Sequence, residues 1–231
     1  VNLELESAGI PAWYAPLVEA GSPLTIAQLG QSLDGFIASR TGDACYVTGP
    51  QDRCHLHQLR SLVDAVVVGG ATVTMDNSRL TVRAVQGRHP VRVVLDPRGR
   101  IPADSHVLTD PIAPTLWIVG SRAPEPGPLA AHVDVVRLPV RDVLPPQLVL
   151  EALHSRGLQR VLVEGGGRLV SAFVSARLID RLYVTTAPLL IGDGVPGLRF
   201  TGADALADAL RGPSRRLMLG DDVCTEIVLT P

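Results

Sequence analysis

One device, used twice, limits the fold of this chain more than any other feature. Val66-Val67-Val68-Gly69-Gly70-Ala71-Thr72-Val73 and Val161-Leu162-Val163-Glu164-Gly165-Gly166-Gly167-Arg168 each run from a short apolar stretch through glycines into a helical pattern. Short continuous β-branched runs belong to strands covered on both faces, which calls for helices above and below a largely parallel sheet. Glycines at such a turn let the backbone approach a ligand, and the helix start behind them offers unpaired N–H groups and a partial positive charge. Two such turns on one sheet suit a dinucleotide. Neither matches G-x-G-x-x-G, so each reads equally well as plain strand-to-helix packing.

The rest of the chain extends the alternation. Residues 24–33, 91–95, 115–119 and 160–163 read as strands, and 182–186 and 224–229 as closing strands of the sheet. Asp34-Gly35 turns the first strand into 36–39, and Asp96-Pro97-Arg98-Gly99 closes the strand at 91–95. Pro50 starts a helix, with Asp52 in its first turn and Leu56, Leu59 and Leu62, three apart, as its buried stripe. Helices are expected at 147–156 and 169–176. Nothing reads as a linker, so residues 24–231 are expected to form one domain. Residues 1–23, with Pro11, Pro16 and Pro23, look like an arm laid over its surface.

Composition then excludes several functions. All 21 basic residues are arginine, so no lysine is present for a Schiff base or a phosphate-binding P-loop. A net charge of −2 argues against nucleic-acid binding. No apolar run reaches the ~18 residues of a membrane span. The first ten residues carry two glutamates and no basic residue, unlike a signal peptide. Cys45, Cys54 and Cys224 are too few for a disulfide framework, which suggests a cytoplasmic setting. Cys54-His55-Leu56-His57 comes nearest to a metal cluster but lacks further ligands at suitable spacing, so an ordinary helix surface is expected there and no metal.

Taken together, the motifs resemble a known family. Gln31-Ser32-Leu33-Asp34-Gly35-Phe36-Ile37-Ala38, Thr41-Gly42-Asp43, Tyr46-Val47-Thr48-Gly49-Pro50, Ala71-Thr72-Val73 with Asp76-Asn77, and Leu80-Thr81-Val82-Arg83 follow one another in order. Val163-Glu164-Gly165-Gly166-Gly167 and Ala187-Pro188-Leu189-Leu190-Ile191-Gly192 complete the series. It is similar to the reductase domain of bifunctional riboflavin-biosynthesis deaminase–reductases, relatives of dihydrofolate reductase. The resemblance implies a three-layer α/β/α sandwich with a mixed, mostly parallel sheet, working as a homodimer. It also implies NADPH as cofactor and a phosphorylated pyrimidine as substrate, with hydride passed to the first carbon of a ribosylamino chain.

By position, the resemblance puts Gly30, Tyr46, Thr72, Asp76, Gly166, Gly167, Arg168 and Leu169 against the cofactor. It puts Ala44, Arg60, Leu80, Arg83 and Glu164 against the substrate. Arginine suits a phosphate because its planar fork donates two hydrogen bonds at once, so Arg60 and Arg83 are expected to converge on one. Asp76, Glu164 or a held water would supply the proton that follows the hydride. The family's zinc deaminase motifs, H-x-E and P-C-x-x-C, do not occur in this sequence.

Four positions depart from the family pattern: Ala44 for a serine, Tyr46 for a tryptophan, Pro97 for a serine near the cofactor's 2′-phosphate, and Gln28 for a lysine on the first strand. Arg98 or Arg100 would then serve the 2′-phosphate, and Gln28 would meet the substrate as a neutral amide. Two other readings stay open: a paralogue reducing a pterin or another heterocycle, and a nucleotide-binding protein without turnover.

Overall fold

The computed structural model describes residues 10–45 and 47–229; residues 1–9 of the expected arm, Tyr46, Thr230 and Pro231 lie outside them. Eleven strands are present among the described residues: β1 (Leu24–Ser32), β2 (Phe36–Ser39), β3 (Ala65–Gly69), β4 (Val91–Leu95), β5 (Thr115–Gly120), β6 (Val133–Leu138), β7 (Arg160–Val163), β8 (Arg181–Ala187), β9 (Gly194–Pro196), β10 (Ser214–Leu219) and β11 (Asp222–Val228). Six α-helices join them: α1 (Ala15–Val18), α2 (Pro50–Ser61), α3 (Gly70–Asp76), α4 (His106–Thr109), α5 (Pro146–His154) and α6 (Gly167–Ser175).

Nine strands form one sheet in the order β10-β11-β8-β1-β7-β3-β4-β5-β6. From β8 to β6 every neighbouring pair is parallel, and β11 runs against both β8 and β10. The sheet is therefore mixed and mostly parallel, as expected. Neither 182–186 nor 224–229 closes the sheet: as β8 the first sits beside the central β1, the second, as β11, lies one strand in, and the edge is β10.

Alternate residues on each strand point to opposite faces, and this sorts the core into two layers. Leu24, Ile26, Val66, Val68 and Leu162 pack with Leu59 of α2, Val73 of α3 and Val107 of α4. Ala27, Val67, Val93, Val161 and Val163 pack on the other face with Val149 and Leu153 of α5 and Val170 and Phe173 of α6. Helices thus cover both faces, which gives the three layers.

Two expectations are corrected. The part of residues 1–23 that is described does more than lie on the surface, because Tyr14 and Leu17 are buried in the first layer. The carbonyls of Leu17 and Ala20 accept from the Arg160 guanidinium. The stripe expected on α2 is also different. Leu59 is buried but Leu56 and Leu62 are only half-buried, while Asp52, His55, His57, Gln58 and Arg60 are buried. The segment 54–57 is accordingly no ordinary helix surface: Cys54 is exposed and both histidines point inward.

Candidate active site

In parallel sheets ligands gather beyond the carboxyl ends of the strands, where the order of strands reverses. Here that place lies around β1, β7 and β3. The two glycine turns follow β3 and β7, and they meet. Gly165, at φ +110°, is so close to Thr72 that a Cβ there would stand 3.0 Å from the threonine hydroxyl. A Cβ on Gly69 or Gly166, the residues that open α3 and α6, would by contrast meet only open space. The helix starts therefore face a free volume, with Arg168 exposed beside them. Gly167 is buried against β9, and a Cβ there would lie 1.9 Å from the Gly197 carbonyl oxygen. That contact seats α6 and its half-buried Leu169 against the small β2–β9 ribbon.

Glu164, at the end of β7, and Arg60, at the end of α2, form the central polar pair. Arg60 Nε donates to Oε1 at 2.7 Å and Nη2 to Oε2 at 2.6 Å, while Nη1 donates to the Thr81 carbonyl at 3.1 Å. Both side chains are almost fully buried. Two residues expected to touch the substrate thus touch each other, and the carboxylate holds the Arg60 guanidinium above its ordinary pKa. Arg60 is thus engaged by Glu164, while Arg83 is exposed and its guanidinium donates to Thr81 Oγ1 at 2.7 Å.

Arg60, Arg79, Arg83, Asp76, Leu80 and His106 border a hollow of about 340 Å³. Partial desolvation and the nearby positive charges of Arg60 and Arg79 hold the largely exposed Arg83 below its ordinary pKa, the electrostatic setting of an anion site. Asn77 and Leu80 hold φ of +43° and +56°, conformations that side chains other than glycine rarely take. Asp76 ends α3 at the same hollow, and partial desolvation pushes its carboxyl pKa up. Ala44 is exposed.

Gly30 approaches the start of α2 closely; a Cβ there would stand 2.8 Å from the Thr48 methyl carbon. Behind it, Asp52 accepts from Thr185 Oγ1 at 2.6 Å and Thr48 Oγ1 at 2.7 Å, and burial raises its pKa. Gln28 gives its amide to both Asp52 oxygens at 3.4 Å. The amide expected to meet the substrate is therefore directed at a buried carboxylate.

A second hollow of about 490 Å³ lies past β4, β5 and β6, bordered by Pro97, Arg98, Arg100, Arg122, Arg141 and Asp142. Arg98 pairs with Asp142 at 3.1 Å. Sequence reasoning found Arg98 and Arg100 here and missed Arg122 and Arg141, which only the parallel register of three strands brings alongside.

The family profile of the RibD C-terminal domain matches residues 23–211. A 2,5-diamino-6-ribosylamino-4(3H)-pyrimidinone 5′-phosphate reductase of Methanothermobacter thermautotrophicus is 37% identical over 212 residues, covering 88% of this chain and 97% of that protein. Riboflavin biosynthesis protein RibD of Bacillus amyloliquefaciens is 36% identical over 78% of this chain, which spans only 49% of that longer protein. The crystal structure of Acinetobacter baumannii RibD, form 1, superposes with a TM-score of 0.78 at 27% identity, over 98% of this chain and 67% of that one. With its sheet order, its paired glycine turns and a profile match over most of its length, the chain belongs to the RibD C-terminal domain family.

Proposed function

We propose that the chain is an NADPH-dependent reductase of riboflavin biosynthesis. It would reduce the ribosylamino chain of a phosphorylated pyrimidine at its first carbon. The observation that carries this reading is the placement of Glu164: a buried carboxylate directly before the second glycine turn, fixed at two points by Arg60, which itself borders the arginine-lined hollow.

The residues fit the cofactor. Open space over Gly69 and Gly166 admits a pyrophosphate against the turns. Gly30, Thr72, Gly167, Arg168 and Leu169 would then serve the cofactor, as would Tyr46, which lies outside the described residues and is assigned by the resemblance alone. Four arginines against one aspartate in the second hollow favour a 2′-phosphate, and hence NADPH over NADH. When bound, the cofactor supplies the hydride. The chain's part is to orient and to move a proton. Glu164, held by Arg60, fixes the pyrimidine or ribose hydroxyls, while Arg83, Leu80 and Ala44 border the rest of the substrate. Asp76 serves as proton source, because desolvation lets its carboxyl keep a proton to higher pH than usual.

The relative matched over nearly its whole length is named for a 2,5-diamino pyrimidinone 5′-phosphate, which favours that substrate over its deaminated uracil counterpart as a second form of the same reading. The test is steady-state NADPH oxidation with both compounds and with a dihydropterin. Turnover of either phosphorylated pyrimidine supports the reading; turnover of the pterin alone, or NADPH binding without turnover, would sink it. Homodimerisation is part of the proposal, supported by edge strand β10 with its exposed Met218. A monomeric mass by light scattering would remove that part.

A further inference from the structure

Residues 77–90, between α3 and β4, contain no helix or strand, yet they carry Leu80 and Arg83 to the first hollow. Buried backbone groups need partners, and in this loop side chains supply them. The Thr81 carbonyl accepts from Arg60 at 3.1 Å. The Val82 N–H donates to Nδ1 of His89 at 3.1 Å, and the Arg83 N–H donates to Nδ1 of His57 at 2.8 Å. His57 is 8% exposed and stands three residues before Arg60 on α2, so one helix face grips the loop at two points.

We propose that His57 and His89 act as an acceptor clamp that positions Arg83 for the substrate's phosphate, and that protonation of His57 opens it. An imidazole accepts at Nδ1 only while that nitrogen carries no proton, so each clamp histidine must be neutral with its hydrogen on Nε2. A proton on Nδ1 would set one N–H against another and add a cation to an arginine cluster. The charged groups facing His57 are Arg60 from its own helix and Arg83 from the loop, and together with burial they push its pKa down to about 4. The His57 contact is thus closed across the neutral range. Because the Arg83 guanidinium is also tied to Thr81 Oγ1, fixing the Arg83 amide fixes the direction of the whole side chain.

This inference rests on the proposed phosphate site, and two readouts separate it from that reading. The first is amide hydrogen exchange of the ligand-free full chain between neutral pH and about pH 4. Protection at Arg83 is expected to fall as the pH approaches 4, while strand β3 stays protected, and to be lost at every pH in His57→Phe. The second is steady-state kinetics with the phosphorylated pyrimidine. His57→Phe is expected to raise KM by about tenfold with kcat changed by less than about threefold. His57→Asn, whose side-chain oxygen falls near the place of Nδ1, is expected to recover most of the KM and to lose the acid response. An Arg83 amide still protected in His57→Phe, or an Asn variant as impaired as the Phe one, would overturn the clamp. If no pyrimidine is turned over but exchange behaves as stated, the functional reading fails and the clamp stands.

Discussion

Arg60 and Glu164 were both singled out in the sequence as candidate site residues, but their pairing was not legible there. The two lie 104 positions apart, and no local pattern says which carboxylate a helix-end arginine will meet. The consequence is measurable. Removing one partner of a buried pair strands the other charge, so Arg60→Met is expected to cost about 3–5 kcal/mol in urea denaturation. The double variant Arg60→Met/Glu164→Leu should recover most of that, and full additivity of the two losses would contradict the pairing. His55 illustrates the same limit. It lies between the Tyr14 hydroxyl at 2.7 Å and the Cys224 sulfur at 3.6 Å, and burial lowers its pKa to about 4, as it does for His57. For both, the folded pKa is below the ordinary value of 6.5, so the unfolded chain takes up protons that the folded one refuses. Their contribution to stability is complete above pH 6.5 and is lost as pH falls toward 4. Calorimetry should show Tm dropping across that interval, with a shallower slope in His55→Phe.

The β-branched strands and their glycine turns were the most readable parts of the chain, because continuous β-branched runs and glycine pairs are local signals, whereas β6, β9 and β10 went unread. Helix α2 was the least readable. A spacing of three leucines looks like a buried stripe, yet the helix lies among polar partners: Asp52 meets Thr48 and Thr185, and Arg60 meets Glu164. Periodicity counts apolar residues and is blind to polar groups buried with partners. The start of α6 offers a direct check on what its glycines do. In Gly167→Ala the new methyl meets the Gly197 carbonyl, so a loss of about 1–3 kcal/mol is expected by thermal unfolding, with displacement of the β2–β9 ribbon. Gly166→Ala points into open space and should leave Tm nearly unchanged while weakening NADPH binding by titration. Equal loss of stability in both variants would show that the turn serves packing alone.

The three-layer arrangement and the mostly parallel sheet followed from the alternation of elements, whereas the order of strands did not. Sequence proximity suggests that β1 pairs with an early neighbour, but the molecule places β7 and β8 on either side of it. The N-terminal segment is tied into the same region: Leu17 has no exposed surface, and Arg160 at the start of β7 holds its carbonyl. Leu17→Ala is therefore expected to cost about 2–5 kcal/mol by denaturant unfolding, far more than an arm resting on the surface would lose. The position of β7 also bears on how the chain comes together. Leu24 pairs with Arg160, and Ala65 with Val161, so the middle of the sheet stays open until two-thirds of the polypeptide has been made. During synthesis β1 and β3 present unpaired edges to the cell, and closure waits on a long-range encounter of the kind that slows folding. A nascent chain halted before residue 160 is expected to depend on chaperones, and release of β7 from the ribosome to mark the onset of protease resistance.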